Sequence, residues 1–538
     1  MSQEVEAAPA VDESAETTRS RGLRGLRGSP TWALLAAALG TMMVALDGTI
    51  VAVANPDIQT KLNASLADIQ WVTNGYLLAL AVSLITIGKI GDRFGHKKVF
   101  LIGIIGFAAT SAGVGVSGSL GKSVAMVITF RILQGLFGAM LQPTALALLR
   151  NTFPAEKLNG AIGVWGAVVG ASTAAGPIVG GLLVQHINWE ACFYINIPVG
   201  IVALVVGLMV LNETPPSQGR SFDIPGIALL SGFLFLLVWA LIKGPDFGWG
   251  SGKEIAFLTG SGVALILFIA REATAKEPLL PLRLFRSISL SAGTVLVLCL
   301  MFAMFGAMFF MTFYMQNVHG LDAIGTGVRL LPLTGMLIVG SPLSGFAITK
   351  VGPRIPMAVG MLLASGALFG LSRITMTSGL NETIVYFAML GFGLSPVIVG
   401  ATEVIVGNAE VELAGVASGL QSTAMQVGGT IGTAVLGAIM SAKVSSLLPT
   451  RWTAAHLPAL SPAQLVEVKS ATTVGVAAVS PGTPGPTAAT ITEVVHSTFI
   501  SGMSAAFLIA AVVAIGGALI ALLTKKGENA TEGAVVMH

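Results

Sequence analysis

About fourteen times along this chain the sequence runs for roughly 20 residues with scarcely a charge, each run long enough to cross a bilayer as a helix. The runs fall near 32–54, 70–90, 98–118, 123–149, 158–184, 191–211, 224–243, 255–271, 288–314, 324–348, 355–373, 383–406, 413–441 and 497–523. Inside lipid only helices and closed barrels satisfy every backbone donor and acceptor, and runs of this length select helices. The expected fold class is therefore an all-α polytopic membrane protein with fourteen transmembrane helices. Composition agrees: 54% of the 538 residues are hydrophobic and 10% are charged, against about 25% charged in a soluble domain. Mean hydropathy is +0.84.

Charge placement gives orientation. An even number of crossings puts both termini on one side. With that side cytoplasmic, Lys and Arg divide roughly 19 inside to about 7 outside, the positive-inside bias. Residues 1–31 and 525–538 read as cytoplasmic tails; the first is acidic and then basic, ending in Arg19, Arg21, Arg24 and Arg27. A secretory signal would have a shorter apolar core and a cleavage site. The expected site is the plasma membrane.

A glycine-and-charge phrase between the second and third runs recurs between the tenth and eleventh. The first copy spans Gly88 to Lys98, with Gly91, Asp92, Arg93, Gly95, His96 and Lys97; the second spans Gly345 to Arg354, with Lys350 and with Thr349 where Asp92 would stand. Two related halves follow: a six-helix bundle over 32–211 and another over 288–524. The pair within 212–287 is an insertion between them. Paired halves are a common plan of secondary transporters. Gly88 and Gly91 would let helix ends approach, Asp92 would cap a neighbouring helix end, and the bases would hold the loop at the surface. Together they read as a conformational latch. Residues 442–496 read as a long mobile outer loop, because Ser480–Thr487 contains only Ser, Pro, Gly and Thr.

Few side chains could carry chemistry. Asp47 lies inside the first run, and an ionisable residue in the membrane is a functional candidate by default. Arg131 lies in the fourth run, which is traversed in the opposite direction. At about 1.5 Å per residue, both sit at about the same depth, so they can pair directly or through Gln134 or water. Such a pair can be a proton site, whose carboxylate pKa follows the nearness of the cation, or a static ion pair that fixes helix register. Glu403 is the other acid within a run. Gly176-Pro177-Ile178-Val179-Gly180-Gly181 combines a bend with glycines that permit close helix contact. In the ninth run Met301, Met304, Met308, Met311 and Met315 repeat every three or four residues, one helix face. Phe302, Phe305, Phe309 and Phe313 adjoin them. Thioethers beside rings suit flat apolar ligands of varied shape, and suit helix packing equally well. Asn74, Gln142, Gln316, Gln421 and Gln426 complete the candidates for a substrate cavity.

Other functions are poorly served. Cys192 and Cys299 fall in apolar runs, the six histidines are scattered without metal-ligand spacing, and no nucleophile–base set marks an enzyme. No ATP-binding phrase stands out, so no cofactor is expected, and energy comes from an ion gradient or from none at all. A charge of +3 gives no reason to expect nucleic acid. The expected partners are protons, lipid and a small hydrophobic substrate, with the chain a monomer.

Taken together these phrases resemble the major facilitator superfamily, and within it the fourteen-helix drug:proton antiporters. The resemblance rests on Leu46-Asp47-Gly48-Thr49-Ile50-Val51 with Asn55-Pro56, on Gly88–Lys98, on Arg131-Ile132-Leu133-Gln134-Gly135, on the antiporter phrase Gly176–Gly181, and on Trp189 to Gly200. Ala52 stands where the family usually has asparagine, Glu190 where it has arginine, and His96 where arginine is commoner. The alanine-, glycine- and valine-rich composition is similar to antibiotic self-resistance exporters of high-GC actinobacteria. The resemblance implies proton-coupled export of a bulky aromatic compound, with Asp47, Arg131 and Gln134 in coupling. The alternatives are an ion-coupled symporter for a small nutrient and a membrane sensor without transport.

Overall fold

The computed structural model describes residues 28–118, 123–213, 223–409, 413–477, 479 and 483–526. The tail before Gly28, most of the 212–223 connection and the tail after Lys526 lie outside the described residues. The chain enters as α1 (Pro30–Leu62), α2 (Leu66–Phe94), α3 (His96–Val116), α4 (Val124–Gly138), α5 (Leu141–Thr152), α6 (Ala155–His186), the single turn α7 (Ala191–Tyr194) and α8 (Asn196–Val210). It continues through α9 (Ile224–Phe247) and α10 (Gly252–Thr274). Then come α11 (Ile288–Phe313), α12 (Ala323–Val351), α13 (Arg354–Leu371), α14 (Leu380–Gly407), α15 (Ala414–Ala454), α16 (Pro462–Thr473) and α17 (Gly485–Ala521).

Thirteen helical segments among the described residues are long and apolar enough to cross a membrane. The other long helix, α2, has 29 residues and carries Asp68, Lys89, Asp92 and Arg93. The fourth run is one crossing made of α4 and α5, broken at Ala139–Met140. Pro143, in the first turn of α5, has no backbone N–H to give to the residue four before it, which is the reason for the break. Helix starts follow local chemistry. Ser65 and Asp68 cap α2 reciprocally, with Asp68 N donating to Ser65 Oγ at 3.2 Å and Ser65 N to Asp68 Oδ2 at 3.0 Å. Asp322 accepts from Gly325 N at 2.6 Å and opens α12.

α1–α8 pack chiefly on one another, as do α11–α15 with α17, and the two groups meet along two seams, α2 against α15 and α6 against α12. The end of the bundle where α1 begins is the terminal end; the other is the distal end. The halves touch closely at the distal end. A Cβ on Gly181 would come within 2.6 Å of the Ala323 carbonyl oxygen, and one on Gly327 would strike the Pro177 carbonyl. Gln316 Nε2 donates across to the Val53 carbonyl at 3.1 Å, and Gln70 Nε2 to the Thr433 carbonyl at 2.6 Å. Toward the terminal end Gly88 of α2 and Gly345 of α12 have open space where a Cβ would stand.

Residues 442–496, expected as a loop, are largely helical. α15 runs on to Ala454, α16 covers Pro462–Thr473, and α17 already begins at Gly485. The indole of Trp452, buried, donates to the Pro458 carbonyl at 2.8 Å, and Asn317 Nδ2 donates to the Val474 carbonyl at 2.7 Å. The segment is a cap on the distal end. Low hydropathy hid it, because a helix beyond the bilayer has no need of an apolar surface. Ser480, Pro481 and Gly482 lie outside the described residues.

α9, with α10 packed against it, lies over the α2/α15 seam. Trp71 of α2 meets Phe235 and Trp239 of α9 at ring-centroid distances of 5.8 and 5.5 Å, and Val238, Ile242 and Ala434 join the cluster.

Candidate functional site: a buried charge hub beside a cleft between the halves

Asp47, on α1, and Arg131, on α4, are both essentially inaccessible and form a direct ion pair through Arg131 Nη1 and Asp47 Oδ2. Gln134, one turn along α4, joins both partners: its Oε1 accepts from Arg131 Nη1 at 2.7 Å, and its Nε2 donates to Asp47 Oδ1 at 2.9 Å. Arg131 Nε donates to the Val72 carbonyl of α2 at 3.1 Å. The guanidinium carbon lies 4.1 Å from the Tyr76 ring centroid and 5.6 Å from that of Phe193. A buried pair of this kind is tolerable only when its remaining donors and acceptors are matched. Here four helices supply them.

Asn196, at the start of α8, was quoted in the sequence only as part of a phrase, yet it belongs to the hub. Its Nδ2 reaches Asp47 Oδ1 at 3.4 Å and Ser111 Oγ at 3.0 Å, and Ser111 Oγ donates to the Phe193 carbonyl at 2.8 Å. The sequence signal was a polar residue at the mouth of an apolar run, two residues before Pro198, which reads as an ordinary helix start.

The antiporter phrase sits against the same stretch of α1. A Cβ on Gly176 would strike Thr49, and one on Gly180 would lie 2.9 Å from Ile50 Cγ1. Thr49 Oγ1 donates to the Thr173 carbonyl at 3.1 Å. Gly181 and Pro177, four residues apart, face α12 instead. The phrase thus clamps the Asp47 helix on one side and the second half on the other.

Between the halves, next to the hub, lies a narrow cleft. Gly48, Val51, Ala52 and Asn55 of α1, Thr73, Tyr76 and Leu77 of α2, and Arg131 form one wall; Phe305, Met308 and Phe309 of α11 and Thr433 of α15 form the other. Arg131 therefore touches both the carboxylate and the cleft. Of the methionine face, Met308 reaches the cleft, whereas Met304 and Met311 are packed in the core. Asn74 lies just behind, its Oδ1 accepting from Thr433 Oγ1 at 2.5 Å. Gln316 is used in the distal contact to Val53, and Gln421 donates to Thr402 Oγ1 at 2.7 Å. Gln142, Gln426 and Glu403 are half-buried and do not line the cleft. Among the described residues no cluster of His, Cys, Asp and Glu could hold a metal ion.

Each loop motif holds the last helix of its own half. In the first, Lys97 Nζ donates to the Leu208 carbonyl at 3.4 Å and to that of Leu211, while Lys97 N donates to Glu213 at 3.2 Å. Gly95, at φ +97°, leaves room for the Glu213 carboxylate, and Gly91 lies against the His96 ring. In the second, Arg354 Nε donates to the Thr524 carbonyl at 3.2 Å. Cations at carbonyl-rich helix ends are favourable. The close approach expected at Gly88 is not made, and Arg93 and Lys350 lie over the rings of Phe94 and Phe346. The side chain of Asp92 lies outside the described residues.

Similarity to known proteins agrees with this geometry. The chain is 56% identical over 505 residues, 94% of its own length and 93% of the relative's, to the tetracenomycin C resistance and export protein of Streptomyces glaucescens. It is 33% identical to the multidrug resistance protein Stp of Mycobacterium tuberculosis, covering 77% of this chain and 76% of that one. A bacterial homologue of the human lysosomal transporter Spinster, solved inward-facing and unoccupied, shares the fold at a TM-score of 0.61 and 19% identity, covering 93% of this chain and 99% of that one. Residues 37–433 match the Major Facilitator Superfamily, and the chain belongs to that family of multi-pass membrane transporters.

Proposed function

We propose that this chain is a proton-driven exporter of the plasma membrane, an antiporter that expels an apolar aromatic antibiotic, a polyketide above all, and so confers resistance. The observation that carries the reading is the double role of Arg131, which pairs with Asp47 and also lines the cleft. When Asp47 takes a proton, the guanidinium loses its counter-charge and the hub must rearrange. That rearrangement is felt at once in the wall of the cleft. The activities for which the relatives are named, tetracenomycin C export and multidrug resistance, support the direction of transport and the chemical class. The aromatic and thioether wall of Phe305, Met308 and Phe309 suits such a cargo.

In this reading α2 is a fourteenth crossing, since its 29 residues exceed the roughly 20 a bilayer requires. Residues 32–211 and 288–524 are the two halves and 212–287 the insertion. The basic terminal end faces the cytoplasm, so the distal contact is an outer seal, and the conformation is closed outward and parted inward. The protein acts as a monomer and needs no cofactor beyond the gradient.

The test uses everted vesicles with an imposed proton gradient. Asp47→Asn is expected to abolish gradient-driven uptake of an aromatic polyketide while retaining gradient-free counterflow. Uptake at the wild-type rate would remove Asp47 from coupling. Substrate-dependent acidification of the wrong compartment would favour a symporter, and absence of counterflow a sensor.

A further inference from the structure

The cleft wall carries hydrogen-bonding capacity that the protein leaves unused. Asn55 lines the cleft and is 1% exposed; its Nδ2 points to Thr73 Oγ1 at 3.5 Å, and its Oδ1 has no partner among the described residues. Asn74, fully buried, spends its Oδ1 on Thr433, and its Nδ2 has no partner among the described residues. Whichever way either amide is turned, one of its two polar atoms stays unmatched. A buried polar group left unpaired is costly, and the one that lines the cleft, on Asn55, calls for a ligand.

The asparagines lie on neighbouring helices, α1 and α2, with Thr73 adjoining Asn74 in sequence and Thr433 entering from α15. Opposite them are the rings of Phe305 and Phe309, with Met308 between. An unmatched acceptor beside the hydroxyls of Thr73 and Thr433, facing an aromatic wall, matches a flat ring system whose edge bears a hydroxyl next to a carbonyl oxygen. A purely hydrocarbon edge would leave the Asn55 oxygen unmatched. Ala52, one turn before Asn55 on the same face, also lines the cleft.

We propose that Asn55, with Asn74 and Thr433 beside it, is the specificity-determining group of the cleft and selects phenolic hydroxy-ketone aromatics by accepting a hydroxyl proton. This rests on the exporter reading above and narrows its substrate class. Binding of a dihydroxyanthraquinone and of its dimethyl ether, measured on the purified full-length protein in nanodiscs, tests it. Wild type is expected to bind the dihydroxy compound about tenfold more tightly, and Asn55→Leu to bind the two alike. An unfolding midpoint like that of wild type reports that the variant's fold is intact. Discrimination that survives in Asn55→Leu, or is missing in wild type, overturns the assignment while leaving export untouched. A wild-type protein that binds neither compound and exports no aromatic sinks both readings.

Discussion

The two halves share a plan but bury different chemistry. In the first half the centre is polar: Asp47, Arg131, Gln134, Asn196 and Ser111 form one connected network. In the second, α11 fills the centre with Met301, Met308, Met311, Phe309, Phe310 and Phe313, all buried, and glycines bring its helices into close contact. A Cβ on Gly391 would strike the Leu333 carbonyl, and one on Gly428 would come within 2.6 Å of the Leu298 carbonyl. A matched polar network in low dielectric specifies one geometry and responds to a proton. A soft apolar face tolerates many shapes and responds to none. In the proposed reading, this difference gives coupling to the first half and much of the cargo wall to the second, with the cleft where they meet.

The strongest way to break this division is to leave a charge alone. Arg131→Met strands Asp47, and we expect about 3–5 kcal/mol of lost stability, read from denaturant or thermal unfolding in detergent. Adding Asp47→Asn should recover most of it without restoring coupled export. Recovery of proton-driven export by the double variant would remove the hub from coupling. Next comes the apolar face. Met308→Ala should weaken binding of an aromatic cargo by about 1 kcal/mol, roughly fivefold, measured by ligand titration, and should leave the pH dependence of transport unchanged. A shifted pH profile would mean that the second half takes part in coupling.

The loops sharpen the comparison, because there the halves act alike. Lys97→Ala and Arg354→Ala should each cost about 0.5–1.5 kcal/mol, visible as earlier proteolysis near Leu211 and Thr524 respectively. A large effect from one alone would make the loops unequal. The smallest effect is expected at Asp322. Its carboxylate is held below the usual 3.8, first by the Gly325 N–H and then by Gln185. The folded pKa being depressed, this cap contributes fully above about pH 4 and is lost as acid takes the pH below that. Asp322→Ala should therefore loosen the start of α12 slightly at neutral pH, seen as faster hydrogen exchange at Gly325. The variant and wild type should converge in strong acid.

The sequence carried much of the site because depth along a helix is arithmetic. Asp47 and Arg131 lie on helices of opposite sense at matching distances from the same end, and the structure pairs them directly. The phrase around Gly176 was legible for a similar reason, since glycines four residues apart must face one neighbour. Asn196 escaped notice because polar residues at helix starts are ordinary, and only tertiary packing brings α8 to Asp47. The distal cap escaped for the opposite reason: Trp452 and Val468 are buried beneath segments whose polar composition reads as loop. Asn55 was visible as a letter beside Pro56, but its unmatched oxygen is a property of the cleft.

The insertion has a geometric consequence. Two six-helix halves related by a near-twofold repeat would look the same to the surrounding lipid from either seam. With Trp71, Phe235 and Trp239 interlocked over α2 and α15, acyl chains on that flank meet the added pair, while on the α6/α12 flank they meet the halves themselves. The transporter therefore has a front and a back within the plane of the bilayer.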